Sequence, residues 1–221
     1  MANRVKFLLL ALVALLFSGC VNEPKPYDYS PLLSAKPRSI LVLMPTNESL
    51  EPKGSSAVLA NATLPLSEAG YYVFPVALVN DTFKFNGVSE ASEIHQIPLH
   101  KLKEIFNSDA VLYINVKTYG TNYAIISSAT TVALEAKLVE ANSGTLLWEH
   151  SAVATNQGQN NGNIFAMMIV AAIQQIADSV SDAGFGISAW ADNLLFMPDC
   201  NGCLLRGEYS PNFRQDRQLA K

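Results

Sequence analysis

Two kinds of apolar run organise the chain. Residues 39–44 read Ser-Ile-Leu-Val-Leu-Met before Pro45, a short continuous run like that of a strand covered on both faces. Val132, Leu134, Ala136 and Leu138 instead alternate with Thr131, Ala133, Glu135 and Lys137, as in a strand with one face in water. Between them, Ser55 and Ser56 predict the cap of a helix running towards Ala69, with a kink or fresh first turn at Pro65 and a stop at Gly70. Residues 71–76 predict a second strand, with Pro75 near its end. A short helix over 77–86 follows, closed by Gly87, then one helical turn over 89–94. Pro98 opens a helix to Phe106, in the first-turn position that proline tolerates. Residues 110–118 are a third strand. The alternating strand spans 124–139, Ala141-Asn-Ser-Gly144 is turn chemistry, and 146–153 returns as its partner. Phe165, Ile169, Ala172, Ile173, Ile176 and Val180 keep helical spacing, with Gly184 and Gly186 ending that helix. The tail from about residue 190 mixes a short helix with irregular chain. This order predicts an α/β (α+β) fold: a three-layer mixed β-sheet flanked by helices, with a long β-hairpin.

The first residues change the picture. Arg4 and Lys6 precede an uncharged run over 7–17. Eleven helical residues rise about 16 Å, half of a ~30 Å hydrocarbon core, so the run is too short to span. Positive start, short apolar centre and small residues make 1–19 a signal peptide. Leu16-Phe17-Ser18-Gly19-Cys20 resembles the bacterial lipobox, in which an acylated Cys follows two small residues. Phe17 stands where that motif usually has Leu. The resemblance implies cleavage before Cys20 and three acyl chains on it, palmitate among them. Each buried methylene adds about 0.8 kcal/mol of membrane affinity, so three chains anchor the protein lastingly. Val21 is not the Asp that retains such proteins in the inner membrane, which implies the outer membrane and a body facing the periplasm or the cell surface. Residues 20–38 then form a lipidated, Pro-rich tether, extended at about 3.1 Å per residue, and 39–221 a single globular domain. Tyr27, Tyr29, Leu32 and Leu33 indicate that part of the tether also packs.

Composition excludes several classes. The 221 residues are 49% apolar and 15% charged, which excludes a disordered chain or a fibre. The net charge is −4, and losing Arg4 and Lys6 leaves 13 basic against 19 acidic residues. An acidic body without a basic run is no partner for nucleic acid.

Motifs for chemistry are scarce. His95 and His100 do not share a helix face, and no histidine pair has zinc spacing. His150 follows Glu149 on the hairpin and is expected to face solvent. Glu149 with His150, or Asp192 with Glu208, read as solvated charges rather than acid–base pairs. There is no Gly-x-Ser-x-Gly elbow and no phosphate-binding glycine loop. The expectation is therefore no enzyme, no catalytic residue, no cofactor and no metal. Cys200-Asn-Gly-Cys203 is a C-x-x-C pair around a turn-forming Asn-Gly. With Cys20 lipidated, these two cysteines remain in an oxidising compartment, and the reading is a structural disulfide. A redox pair, or half of a zinc site lacking nearby ligands, is the alternative.

Two stretches carry a resemblance. One is residues 65–76 with 81–87 and 94–99, in which Ala69-Gly-Tyr-Tyr-Val73 is specific. The other is Tyr119-Gly-Thr-Asn-Tyr123 with residues 136–140 and Ser143-Gly-Thr-Leu-Leu-Trp-Glu149. Together they resemble a bacterial lipoprotein family of unknown function that includes a meningococcal vaccine candidate. The likeness covers about residues 38–215, and the cysteine pair departs from it. The resemblance implies a fold like the N-terminal domain of TolB and the periplasmic part of CsgG-type secretion lipoproteins. It implies a non-catalytic outer-membrane component of an envelope transport or secretion complex, oligomeric, with envelope protein partners such as a CsgG-like lipoprotein. The alternative is a lipoprotein regulator of a periplasmic cell-wall synthesis enzyme.

Overall fold

The structure is a computed structural model that describes residues 25–123, 128–156 and 183–219. The expected signal peptide, Cys20 and the helix over 165–180 lie outside the described residues. Six strands form one mixed sheet: β1 (Ser39–Val42), β2 (Thr46–Asn47), β3 (Tyr72–Val73), β4 (Ala110–Tyr123), β5 (Ser128–Glu140) and β6 (Leu146–Thr155). Their order is β3-β1-β4-β5-β6, with β2 also beside β4. β1 pairs in parallel with β3 and β4, and β4-β5-β6 is an antiparallel meander. Helices α1 (Ser30–Ala35), α2 (Gly54–Glu68), α3 (Val76–Phe85), α4 (Ala91–Ile94), α5 (Leu99–Phe106) and α6 (Ala183–Phe196) flank it.

The two apolar patterns mark two environments. In β1, Ile40 and Val42 join a core with α2 and α6, while Leu41, and Leu43 just beyond the strand, join a second core with α3, α4 and α5. Both faces are dry, so polarity cannot alternate. In β5, Val132, Leu134, Ala136 and Leu138 are buried while Glu135 and Lys137 are exposed. Leu138 lies between Leu112 of β4 and Trp148 of β6, which continues the first core to the hairpin edge.

Several local expectations are corrected. α2 starts at Gly54 with no side-chain cap; the Gly54 N–H bonds the Glu51 carbonyl instead. Pro65 lies buried within α2, which runs through it without a fresh start. Proline there has no donor for the Asn61 carbonyl, and the helix ends three residues later at Glu68. Gly184 and Gly186 do not end a helix but sit in the first turn of α6. A Cβ on Gly184 would come within 2.6 Å of the Tyr119 ring, so close packing, not helix termination, explains that glycine. The tether is also shorter than 20–38: Tyr29 and Leu32 are buried, and α1 packs against β6. The apolar side chains among the prolines outweigh the extended preference, because burial returns about 1.5–3 kcal/mol per large side chain.

Candidate functional site

After α6 the chain reverses through Cys200-Asn201-Gly202-Cys203. The Cys203 N–H bonds the Cys200 carbonyl at 3.2 Å, and Gly202 takes φ +84°, a conformation open to glycine. Three aromatic side chains seat this turn. Trp148 on β6 donates Nε1–H to the Gly202 carbonyl at 2.9 Å. The Tyr29 hydroxyl donates to the Cys203 carbonyl at 2.7 Å. Tyr27 packs at a tilt against Tyr29 with ring centroids 4.8 Å apart, and its hydroxyl accepts the Glu149 N–H at 3.0 Å. Asn201 completes the seat, accepting from the Tyr27 N–H at 2.8 Å and donating to the Lys25 carbonyl at 3.0 Å. The turn thus joins the start of the folded chain to the edge of the sheet.

Cys200 and Cys203 are bonded Sγ to Sγ, with Cα atoms 5.1 Å apart. His150 does not face open solvent as expected. It is half-buried on β6 beside Trp148, and it lies 3.7 Å through Nδ1 from where a Cβ on Gly202 would be. Period-two alternation on β6 points His150 away from Glu149, which turns to Lys137 at 3.9 Å. Burial pushes the His150 imidazole below its ordinary value, favouring the neutral ring. One ligand atom each from His150, Cys200 and Cys203 lie within 4.8 Å of one another. The expectation that the cysteine pair has no third ligand nearby is therefore corrected: the ligand comes from a strand fifty residues away in sequence. A groove of about 510 Å³ opens beside His150, and one of about 340 Å³ beside Cys200.

Behind the turn, Arg206 grips Asp199 with two hydrogen bonds, of 3.0 and 2.6 Å, and reaches Asp216 at 3.0 Å. The guanidinium holds the Asp199 carboxyl down to about 2. Burial outweighs the same partner at Asp216 and pushes that carboxyl up.

The other sequence candidates are scattered. Asp192 is wholly buried in α6, whereas Glu208 pairs with Arg38 at 3.0 Å on the surface, so they form no acid–base pair. His95 bonds the Met44 carbonyl through Nε2 at 2.9 Å and meets the Tyr113 ring edge-on. Trp148, Tyr27 and Tyr29, which hold the site together, carried no chemical motif. For the two tyrosines the signal was only that aromatic rings stood in a segment otherwise fit for a tether, and Trp148 stood out only as part of the Ser143–Glu149 stretch.

A lipoprotein family profile matches residues 27–209, a range containing Tyr27, Tyr29, Trp148, His150, Cys200 and Cys203. The chain belongs to the GNA1162-like lipoprotein family. The match starts at Tyr27, where the described chain begins to pack, rather than at residue 38. A family member from Neisseria meningitidis serogroup B, the lipoprotein NMB1124/NMB1162, is 43% identical over 217 residues, spanning 96% of this chain and 99% of the relative. The crystal structure of lipoprotein GNA1162 from Neisseria meningitidis superposes with a TM-score of 0.54 at 49% identity, covering 64% of this chain and 99% of that one. A PelC dodecamer from Paraburkholderia phytofirmans is a remote likeness, 12% identical with a TM-score of 0.45 over 78% of this chain and 91% of that one. Among the described residues no helix is long and apolar enough to cross a membrane.

Proposed function

We propose that the chain is anchored in the outer membrane by acyl groups on Cys20. On this reading its body serves as a non-catalytic binding and assembly component of an envelope transport or secretion complex, in contact with further copies of itself and with an envelope lipoprotein partner. The family supports the lipid anchor. The observation that carries the assembly role is the hairpin edge. β6 is ten residues long, pairs only with β5 among the described residues, and exposes Leu146 and Val153. An unpaired strand of that length is a template for another strand. Tyr27 already occupies one of its donors, the Glu149 N–H.

Cross-linking of native membranes followed by mass spectrometry tests the proposal. The expected result is an acylated peptide starting at Cys20, cross-links between copies through β6, and cross-links to a transport lipoprotein. A different first residue, partition into buffer rather than detergent, or a cell-wall synthase as the neighbour overturns it.

A further inference from the structure

The corner around Cys200 and Cys203 is built as a thiolate and imidazole set as much as a disulfide. C-x-x-C is a spacing that chelates, and the Asn-Gly centre with Gly202 at positive φ points both sulfurs to one side. His150 brings a nitrogen into the same space, with all three ligand atoms within 4.8 Å. A tetrahedral site with Zn–S of about 2.3 Å and Zn–N of about 2.0 Å has ligand edges of roughly 3.5–3.8 Å. On reduction the two sulfurs, bonded to each other in this structure, part to that spacing and the imidazole moves in, both by side-chain rotation. The surroundings hold the set in place. Trp148 and Tyr29 bind the carbonyls of Gly202 and Cys203, fixing the turn from behind, as outer partners fix metal ligands elsewhere. Cys203 is buried, while Cys200 and His150 border open grooves through which an ion can arrive.

We propose that Cys200 and Cys203, in their reduced form, bind a thiophilic d10 metal ion, Zn2+ or Cu+, together with His150, leaving a fourth position open to the groove. Soft thiolates select such ions, and a neutral imidazole completes the set. The disulfide and the metal site exclude each other. To pass from one to the other, an envelope dithiol gives two electrons and two protons to the Cys200–Cys203 bond and itself becomes a disulfide. Both thiols then release their protons to solvent as the ion binds.

The full acylated chain in detergent, reduced with a phosphine and stripped with a chelator, is titrated with Zn2+ and separately with Cu+ held by a competing ligand. One equivalent of either ion is expected to bind after reduction and none before, with both thiols protected from a thiol reagent. His150→Ala is expected to weaken binding by about 100-fold while leaving disulfide formation unchanged. His150→Gln, which nearly conserves volume, separates loss of the ligand from loss of packing and is expected to weaken binding equally. Cys200→Ser is expected to abolish it. No binding by reduced protein that keeps its folded circular dichroism spectrum overturns the proposal, as does undiminished binding by both His150 variants.

Discussion

The centre of the sheet and the corner formed by residues 25–36 with the tail are held together by different forces. At the centre, Ile40, Leu112, Leu134 and Leu138 belong to one apolar cluster spread over neighbouring strands and expose almost nothing. At the corner, side chains bind main chain across separations of 122 to 174 residues: Tyr29 to Cys203, Tyr27 to Glu149, Asn201 to Tyr27. Burial of apolar surface is non-directional and adds along a strand. A hydrogen bond exchanged with water contributes only about 1 kcal/mol, so the corner depends on several bonds made together. The lesson is that one region resists change by volume and the other by geometry.

Leu138→Ala gives the largest effect, because the side chain is fully buried between Leu112 and Trp148. It is expected to cost about 2–5 kcal/mol in urea unfolding, and the corner should loosen with the rest. A loss under about 1 kcal/mol would place the main stability elsewhere.

Arg206→Ala is expected to cost about 2–3 kcal/mol by leaving the buried Asp216 carboxylate unpaired. Hydrogen exchange should speed up over residues 199–217 and stay unchanged in β1 and β4. Acid titration sharpens this contrast. Asp199 is held to about 2 against an ordinary 3.8, so its contribution is full above 3.8 and is lost as pH falls through about 2. That loss should shrink in the Arg206 variant, where the Arg217 N–H still bonds Asp199 at 3.0 Å.

The core behaves oppositely with pH. Asp192 is completely buried in α6, with no hydrogen-bond partner for either carboxylate oxygen among the described residues, and burial raises its carboxyl well above 3.8. The unfolded chain gives up that proton near pH 4 while the folded chain keeps it. The penalty is therefore absent in acid and grows as pH rises above 4. Asp192→Asn is expected to stabilise the protein by roughly 1 kcal/mol or more at pH 7 and by nothing at pH 3. Melting curves of both proteins across this range check the sign, and parallel curves would show that Asp192 is charged in the fold.

The same division explains what could be read from the chain. Alternation in Val132 to Leu138 announced a half-solvated strand, and the continuous run in β1 announced one covered twice. These patterns repeat locally, so a few neighbouring residues reveal them. Gly184 misled because a glycine ends helices and also admits close neighbours, and only the Tyr119 ring says which applies. The corner was half legible. Cys200 and Cys203 stood out by spacing, but His150 reaches them only through the hairpin and the reversal after α6. Nothing local links a histidine to cysteines fifty residues on, and the tyrosines of a proline-rich segment are farther still.

Tyr29→Phe is the smallest change and the closest test of the contrast. The ring stays, its packing against Tyr27 stays, and only the hydroxyl that donates to the Cys203 carbonyl at 2.7 Å is removed. Global stability is expected to fall by about 1 kcal/mol, since the carbonyl loses a partner in a buried place. The local effect should be larger than that figure implies. The turn would keep the Trp148 bond at Gly202 but lose its hold beside Cys203, so a thiol reagent should reduce the Cys200–Cys203 bond faster while exchange in β4 and β5 stays slow. If reduction were no faster, the turn would be held by its own backbone and by Trp148 alone. If β4 and β5 loosened as well, the corner would be part of the core after all, and one cooperative unit would replace the two regions.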